Sequence, residues 1–157
     1  MCDVDALSPP PRRTVRVCAV VVDETDRVLL VAPTGMRGKV LPGCRVRPRE
    51  LPEAALRRGV REATGLDARP GKLLLVDVMP EADTPEEYVF VFGCGSVGEA
   101  KHILVDKSTC DGYSWVAARD VAEHTEPYQE RRIREALRAH EAKPDAVPYL
   151  IHGKPAL

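Results

Sequence analysis

From Thr14 to Val22 the chain reads TVRVCAVVV, an almost unbroken run of β-branched and apolar residues, and a second apolar run covers Val28 to Ala32. The polar stretch Asp23 to Asp26 between them carries turn chemistry, so the pair is predicted to form a hairpin. A different period follows. Pro52 suits a helix start and Gly65 a helix C-terminal cap, with Ala55, Leu56 and Val60 forming an apolar stripe between them, and this predicts a helix. Lys72 to Met79 and Tyr88 to Phe92 read as strands around an acidic loop that holds Glu81, Asp83, Glu86 and Glu87. Ile103 to Val105 and Tyr113 to Val116 read as shorter strands. Arg119 to Glu123 predicts a short helix, and Glu130 to Ala142 a longer one in which Ile133 and Leu137 share a face at i, i+4. Strands, loop, helix, strands, helix is the order of an α/β fold. No internal repeat or low-complexity linker interrupts it.

With 157 residues and 44% hydrophobic content, the chain suits a single domain. Such a domain buries roughly two-thirds of its unfolded surface. It is assigned to residues 14–154, after a disordered N-terminal lead at 1–13. The lead has acids where a signal peptide needs basic residues and lacks an apolar run of sufficient length. Five scattered cysteines (Cys2, Cys18, Cys44, Cys94, Cys110) include no C-x-x-C pair, which argues against a disulfide framework or a zinc knuckle and points to a reducing, cytoplasmic setting. A formal net charge of -1 gives no global reason to expect nucleic acid or a membrane surface as partner. A homodimer is left open.

Local charge is less even. Between Thr34 and Arg49 stand Arg37, Lys39, Arg45, Arg47 and Arg49, with no acid among them. This basic segment is a candidate anion site, since arginine can grip phosphate oxygens bidentately. It leads directly into LPGCRVRPRELPEAALRRGVREATGL, residues 41–66.

That stretch resembles the Nudix box, a glycine, five residues, a glutamate, seven residues, Arg-Glu, an aliphatic, any residue, Glu-Glu, any residue, glycine and an aliphatic. Glu50, Arg58, Val60, Glu62, Gly65 and Leu66 occupy matching positions. Cys44 stands in place of the opening glycine and Arg49 in place of the glycine usual before the first glutamate. Gly59 and Ala63 replace two of the three helix glutamates. The resemblance spans about residues 14–154: GYSWVAARDVAEHTEP is similar to the aromatic strand and short helix of many family members, and PYLIHGKPAL to the tails of bacterial ones. It implies an α/β/α sandwich with a mixed sheet and the box helix at its site.

It also implies a ligand class, a nucleoside diphosphate linked to another group or another phosphorylated small molecule, and hydrolysis of a phosphoanhydride assisted by Mg²⁺ or Mn²⁺. Glu62 is then the metal ligand and Arg58 orients the carboxylates, while Glu50 caps or braces the helix start. Arg37, Lys39, Arg45 and Arg47 are the expected ligand-binding residues.

The departures weaken that chemistry. Positions 59, 62 and 63 share one helix face, and with only Glu62 left a hard-oxygen magnesium site loses two carboxylates. Metal binding is expected to be weak, or to need the ligand. A loop glutamate, Glu81, Glu86, Glu87 or Glu99, could compensate. His102, His124, His140 and His152 are scattered and form no metal site. Cys44, near Arg45 and a helix N-terminus, is expected to have a lowered pKa; it is read either as a small residue tolerated where glycine was, the favoured reading, or as the candidate nucleophile. If the box has merely decayed, Gly59→Glu with Ala63→Glu should restore metal binding, and Gly59→Ala should stiffen the helix; if Gly59 instead makes room for a ligand or for close packing of a neighbouring strand, both variants should lose stability or ligand binding. Few aromatics exist for stacking on a base, and the candidates Tyr88, Phe90, Phe92, Tyr113 and Trp115 fall on predicted strands. Three readings stay open: a hydrolase with an impaired or compensated site; a repurposed lyase, isomerase or cyclase using Cys44; and a non-catalytic ligand-binding module.

Overall fold

The computed structural model describes residues 9–10, 12–96 and 103–156. Most of the predicted N-terminal lead, together with Glu99 and His102, lies outside them. Eight strands form one sheet: β1 (Thr14–Val22), β2 (Val28–Pro33), β3 (Gly43–Arg45), β4 (Leu73–Met79), β5 (Glu87–Ser96), β6 (Cys110–Val116), β7 (Tyr149–Ile151) and β8 (Lys154–Pro155). Their order is β6-β2-β1-β5-β4-β7-β8, and β3 is a further partner of β1. β1 with β5 and β4 with β7 are parallel and the other pairs antiparallel, so the sheet is mixed. The helices are α1 (Pro52–Thr64), α2 (Val121–His124) and α3 (Pro127–Ala142), with a 3-10 turn at Ala118–Asp120.

The unbroken apolar run of β1 has a two-sided explanation. Val17, Ala19 and Val21 pack with Ala55, Leu56 and Val60 of α1. Cys18, Val20 and Val22 join Ile133, Ala136 and Leu137 of α3 on the opposite face. A strand covered by helices on both sides needs apolar residues at every position rather than at alternate ones. The result is the α/β/α sandwich that the box resemblance implied.

α1 starts with proline and ends where Gly65 turns left-handed at φ 73°, its N–H bonding the Arg61 carbonyl at 2.8 Å. α3 begins at Pro127, three residues before the expected start at Glu130. The predicted strand at Ile103 to Val105 is not formed. Instead Leu104 donates a single backbone hydrogen bond to the Thr64 carbonyl at 2.9 Å, and its side chain is exposed. No neighbouring strand reaches this segment among the described residues, so its β-branched residues have no ladder to join. β3, β7 and β8 are short strands that the hydrophobic pattern does not announce.

Beneath α3 lies an ion pair. Asp77 on β4 and Arg132 on α3 are 0% and 3% exposed, and Arg132 Nε donates to Asp77 Oδ2 at 2.7 Å. The turn between β7 and β8 completes this group, because the Gly153 N–H donates to Asp77 Oδ1 at 3.0 Å. Gly153 adopts φ 76°, and a Cβ there would fall 2.7 Å from the Tyr128 carbonyl oxygen. Close approach and backbone conformation both require glycine.

Candidate functional site

Arg58 organises the box. Its Nε and Nη2 donate to the two oxygens of Glu50 at 2.8 and 2.9 Å, a bidentate pair. Nη2 also reaches the Arg45 carbonyl at 3.1 Å, and Nη1 lies 3.4 Å from Glu62 Oε2. This guanidinium therefore ties the segment before the helix, the end of β3 and Glu62 together. The hydrogen bonds from Arg58, followed by that from the Arg47 backbone N–H, hold the Glu50 carboxyl down to about 2. Glu50 braces the entry into α1 without capping it, since its Oε2, already bound by Arg58, also accepts from the Arg47 N–H, and the N-cap residue is Leu51. Arg49, one position earlier, takes φ 62°. The chain keeps the left-handed conformation that the family's glycine would supply, but with an arginine in it.

Cys44 and Gly59 meet face to face. A Cβ built on Gly59 would lie 2.6 Å from Cys44 Sγ and 2.8 Å from Cys44 Cβ, inside van der Waals contact. The thiol donates to the Ala55 carbonyl at 3.1 Å, which fixes its direction onto α1. The register pairs Cys44 with Val17, on the helix side of the sheet. The expectation of a lowered thiol pKa is thereby corrected. Burial against α1 pushes the Cys44 thiol up, outweighing the opposing effect of nearby Arg58. Of the two outcomes expected for Gly59→Ala, the crowding favours loss of stability through close packing of a neighbouring strand, β3, over stiffening of the helix.

These residues do not fit a divalent ion. Glu62, its side chain 59% exposed, is the one carboxylate on the 59, 62, 63 face and already faces Arg58. Both oxygens of Glu50 are engaged. Among the described residues no group of three or more His, Cys, Asp or Glu side chains converges to hold a metal. Of the proposed compensating glutamates, Glu86 pairs with Arg13 and Glu81 is exposed in its loop. Glu87 lies on β5 rather than in the loop, between Arg45 Nε at 3.1 Å and Arg16 Nε at 3.4 Å.

A cavity of about 500 Å³ opens between β1, β3 and α3 and reaches Ala63 of α1. Its floor includes Arg16 and Cys18 of β1, Arg45 of β3 and Glu87 of β5; its roof is Tyr128, Gln129 and Arg132 of α3. Register explains the floor: Arg16 pairs with Arg45 and Cys18 with Gly43, so these side chains share a face that excludes Val17 and Cys44. Arg45 is the only one of the four expected basic residues that lines it. Lys39 is used structurally, its Nζ 2.6 Å from Ser114 Oγ. Arg37, with its side chain 92% exposed, approaches Glu126 at 4.0 Å. Arg47 is exposed, and its backbone rather than its side chain holds Glu50.

Arg16, Tyr128, Gln129 and Arg132 line the cavity without having been singled out by sequence reasoning. Arg16 was detectable as the single charge within an apolar strand, and Arg132 as a charge beside the apolar stripe of α3. The aromatic in the cavity wall is Tyr128, and none of the five expected stacking residues lines it.

The sandwich, the box frame and the cavity define a class. The NUDIX domain family matches residues 12–137, most of the chain, and the protein belongs to that family. Its fold is similar to that of the MutT protein from Methanosarcina mazei Go1, at 22% identity and TM-score 0.71, over 88% of this chain and all of that one. It is also similar to a UDP-X diphosphatase, at 19% identity and TM-score 0.74, over 91% of this chain and 69% of that one. An ADP-ribose pyrophosphatase from Streptococcus suis 89-1591 aligns at 16% identity and TM-score 0.63, over 88% of this chain and 98% of its own. No curated protein matches the sequence. Among the described residues no helix is long and apolar enough to cross a membrane.

Proposed function

We propose that this Nudix-family chain binds a phosphorylated small molecule, of the nucleoside-diphosphate-linked kind, in the cavity between β1, β3 and α3, with hydrolysis at the box impaired. The observation that carries the reading is the pairing of Arg16 and Arg45 across one carboxylate, Glu87, on the cavity floor. Three guanidiniums, with Arg132, face two carboxylates, Glu87 and Asp77. The surplus positive charge favours an anionic ligand. Relatives named as a UDP-X diphosphatase and an ADP-ribose pyrophosphatase act, by those names, on diphosphates of this class. The packing of Cys44 onto Gly59 favours binding over turnover and speaks against Cys44 as a nucleophile.

The test is a thermal-shift panel of ADP-ribose, UDP-sugars and simple nucleoside diphosphates, with and without Mn²⁺. A ligand at about 100 times its Kd adds about 2.7 kcal/mol to the folded state. Arg16→Gln and Arg45→Gln should each weaken binding, since a hydrogen bond to a charged group contributes about 1.5–3 kcal/mol. Arg138→Gln on the outer face of α3 should not. Equal losses at all three positions would reduce the effect to general electrostatics and sink the site.

A further inference from the structure

We infer that the box's ion position is closed from within by a reciprocal exchange, Cys44 where the family has glycine and Gly59 where it has glutamate, and that the cavity receives anionic groups on Arg16 and Arg45 without a divalent ion. The second half rests on the ligand reading proposed above; the first half does not.

The two substitutions are complementary in space. A side chain at position 59 must leave along the Cα–Cβ direction, and Cys44 Sγ and Cβ stand 2.6 and 2.8 Å from that Cβ. Take the Cys44 side chain away and the nearest remaining contact is its backbone nitrogen at 3.1 Å, which is tight but tolerable. So each change is accommodated by the other. A glutamate at 59 needs a glycine at 44, and a cysteine at 44 needs a glycine at 59. Loss of the helix carboxylate by drift alone would have left any small residue acceptable there; alanine, the better helix former, is excluded by the thiol.

The carboxylates that survive are engaged by the protein itself. Arg58 holds both oxygens of Glu50 and approaches Glu62. Cationic charge is still supplied on the cavity floor, where Arg16 and Arg45 each turn Nε toward Glu87. Their Nη groups make no hydrogen bond to the described residues, and planar forks of this kind match phosphate oxygens. Arg45 belongs to both assemblies, its carbonyl bonded to Arg58 and its side chain on the cavity.

Mn²⁺ binding followed by electron paramagnetic resonance tests the closure without any activity. The comparison is between the wild type, Gly59→Glu with Ala63→Glu, and the same pair combined with Cys44→Gly. The double variant should gain no Mn²⁺ affinity, whereas the triple variant should gain about tenfold or more through its restored carboxylates. Equal gain in the double and triple variants, or a tight Mn²⁺ site in the wild type, would overturn the closure. If the triple variant does not fold, Gly59→Ala and Cys44→Gly with Gly59→Ala decide instead: a Tm restored by the second change supports the pairing, and one left unrestored overturns it. Inorganic pyrophosphate and ADP, titrated by calorimetry in EDTA and again in Mn²⁺, test the arginine half. Equal affinities, lost in Arg16→Gln with Arg45→Gln, are expected. Binding that requires Mn²⁺ defeats metal independence alone, and no binding under either condition defeats the ligand reading while the Mn²⁺ series still judges the closure.

Discussion

Replacing Gly59 with alanine should destabilise the protein, against the usual sign for a glycine inside a helix. Propensity alone favours the change by about 0.8–1.0 kcal/mol. The new methyl, however, would stand 2.6 Å from Cys44 Sγ, and the thiol is held by its bond to the Ala55 carbonyl within a half-buried contact between β3 and α1. Overpacking of this kind typically costs about 1–3 kcal/mol. The difference is a net loss of up to about 2 kcal/mol, which for a domain of this size is worth about 2–4 °C in Tm per kcal/mol. In the Cys44→Gly background the obstruction is gone, and the same alanine should recover its propensity gain. Urea unfolding of the wild type, both single variants and the double variant closes the cycle, with a favourable coupling of about 1–3 kcal/mol expected for residues in direct contact. Additive effects, with alanine stabilising equally in both backgrounds, would show that Cys44 and Gly59 do not constrain each other.

Glu50 should contribute to acid stability: its folded pKa of about 2 lies below the ordinary 4.5, so its contribution is complete above about 4.5 and fades as pH falls toward 2. Glu50→Gln should flatten that part of the pH profile of urea midpoints, and an unchanged profile would mean that Arg58 does not hold the carboxylate in solution. Arg49→Gly should stabilise by up to about 1 kcal/mol in chemical denaturation, because a left-handed non-glycine residue is strained by about 1–2 kcal/mol, offset in part by glycine's greater unfolded freedom; destabilisation would reveal an unrecognised role for the arginine side chain. Asp77→Asn should destabilise by about 3–5 kcal/mol, since it leaves the Arg132 charge buried without its partner, and a change below about 1 kcal/mol by urea unfolding would mean that water reaches the pair.

The elements best read from sequence were those whose evidence is local. β1 and β2 show themselves by composition, α1 by its proline start, apolar stripe and glycine cap. β3 escaped because three residues, GCR, carry no periodicity and owe their strand to pairing with Arg16, Val17 and Cys18. Ile103 to Val105 misled for the converse reason, having β-branched composition without a partner. The box frame was legible from spacing, and the hydrogen bonds of Arg58 to Glu50 lie within it. The cavity was not. Counting charges from Thr34 to Arg49 identifies a basic segment but cannot say which side chains point where, and the register of β3 sets Arg45 at the cavity while Arg37 and Arg47 stay away from it. Arg16 and Arg132 come from segments far from the box in sequence. Close packing of a strand onto Gly59 was one of two readings a glycine inside a helix allows, but its partner, Cys44, lies on another element, so spacing and propensity do not name it.

The turn at Gly153 has a consequence for the order of assembly. Proteins are synthesised from the N-terminus, and β1 to β6, α1 and Asp77 emerge before α3 delivers Arg132, with β7 and the Gly153 N–H arriving later still. Until then Asp77 sits on β4 without its β7 neighbour and without the Gly153 donor to Oδ1, at the place where the cavity roof must settle. The closing hairpin is thus a latch that shuts after everything it secures has been made, and the cavity beneath α3 is among the last parts of the molecule to acquire its shape.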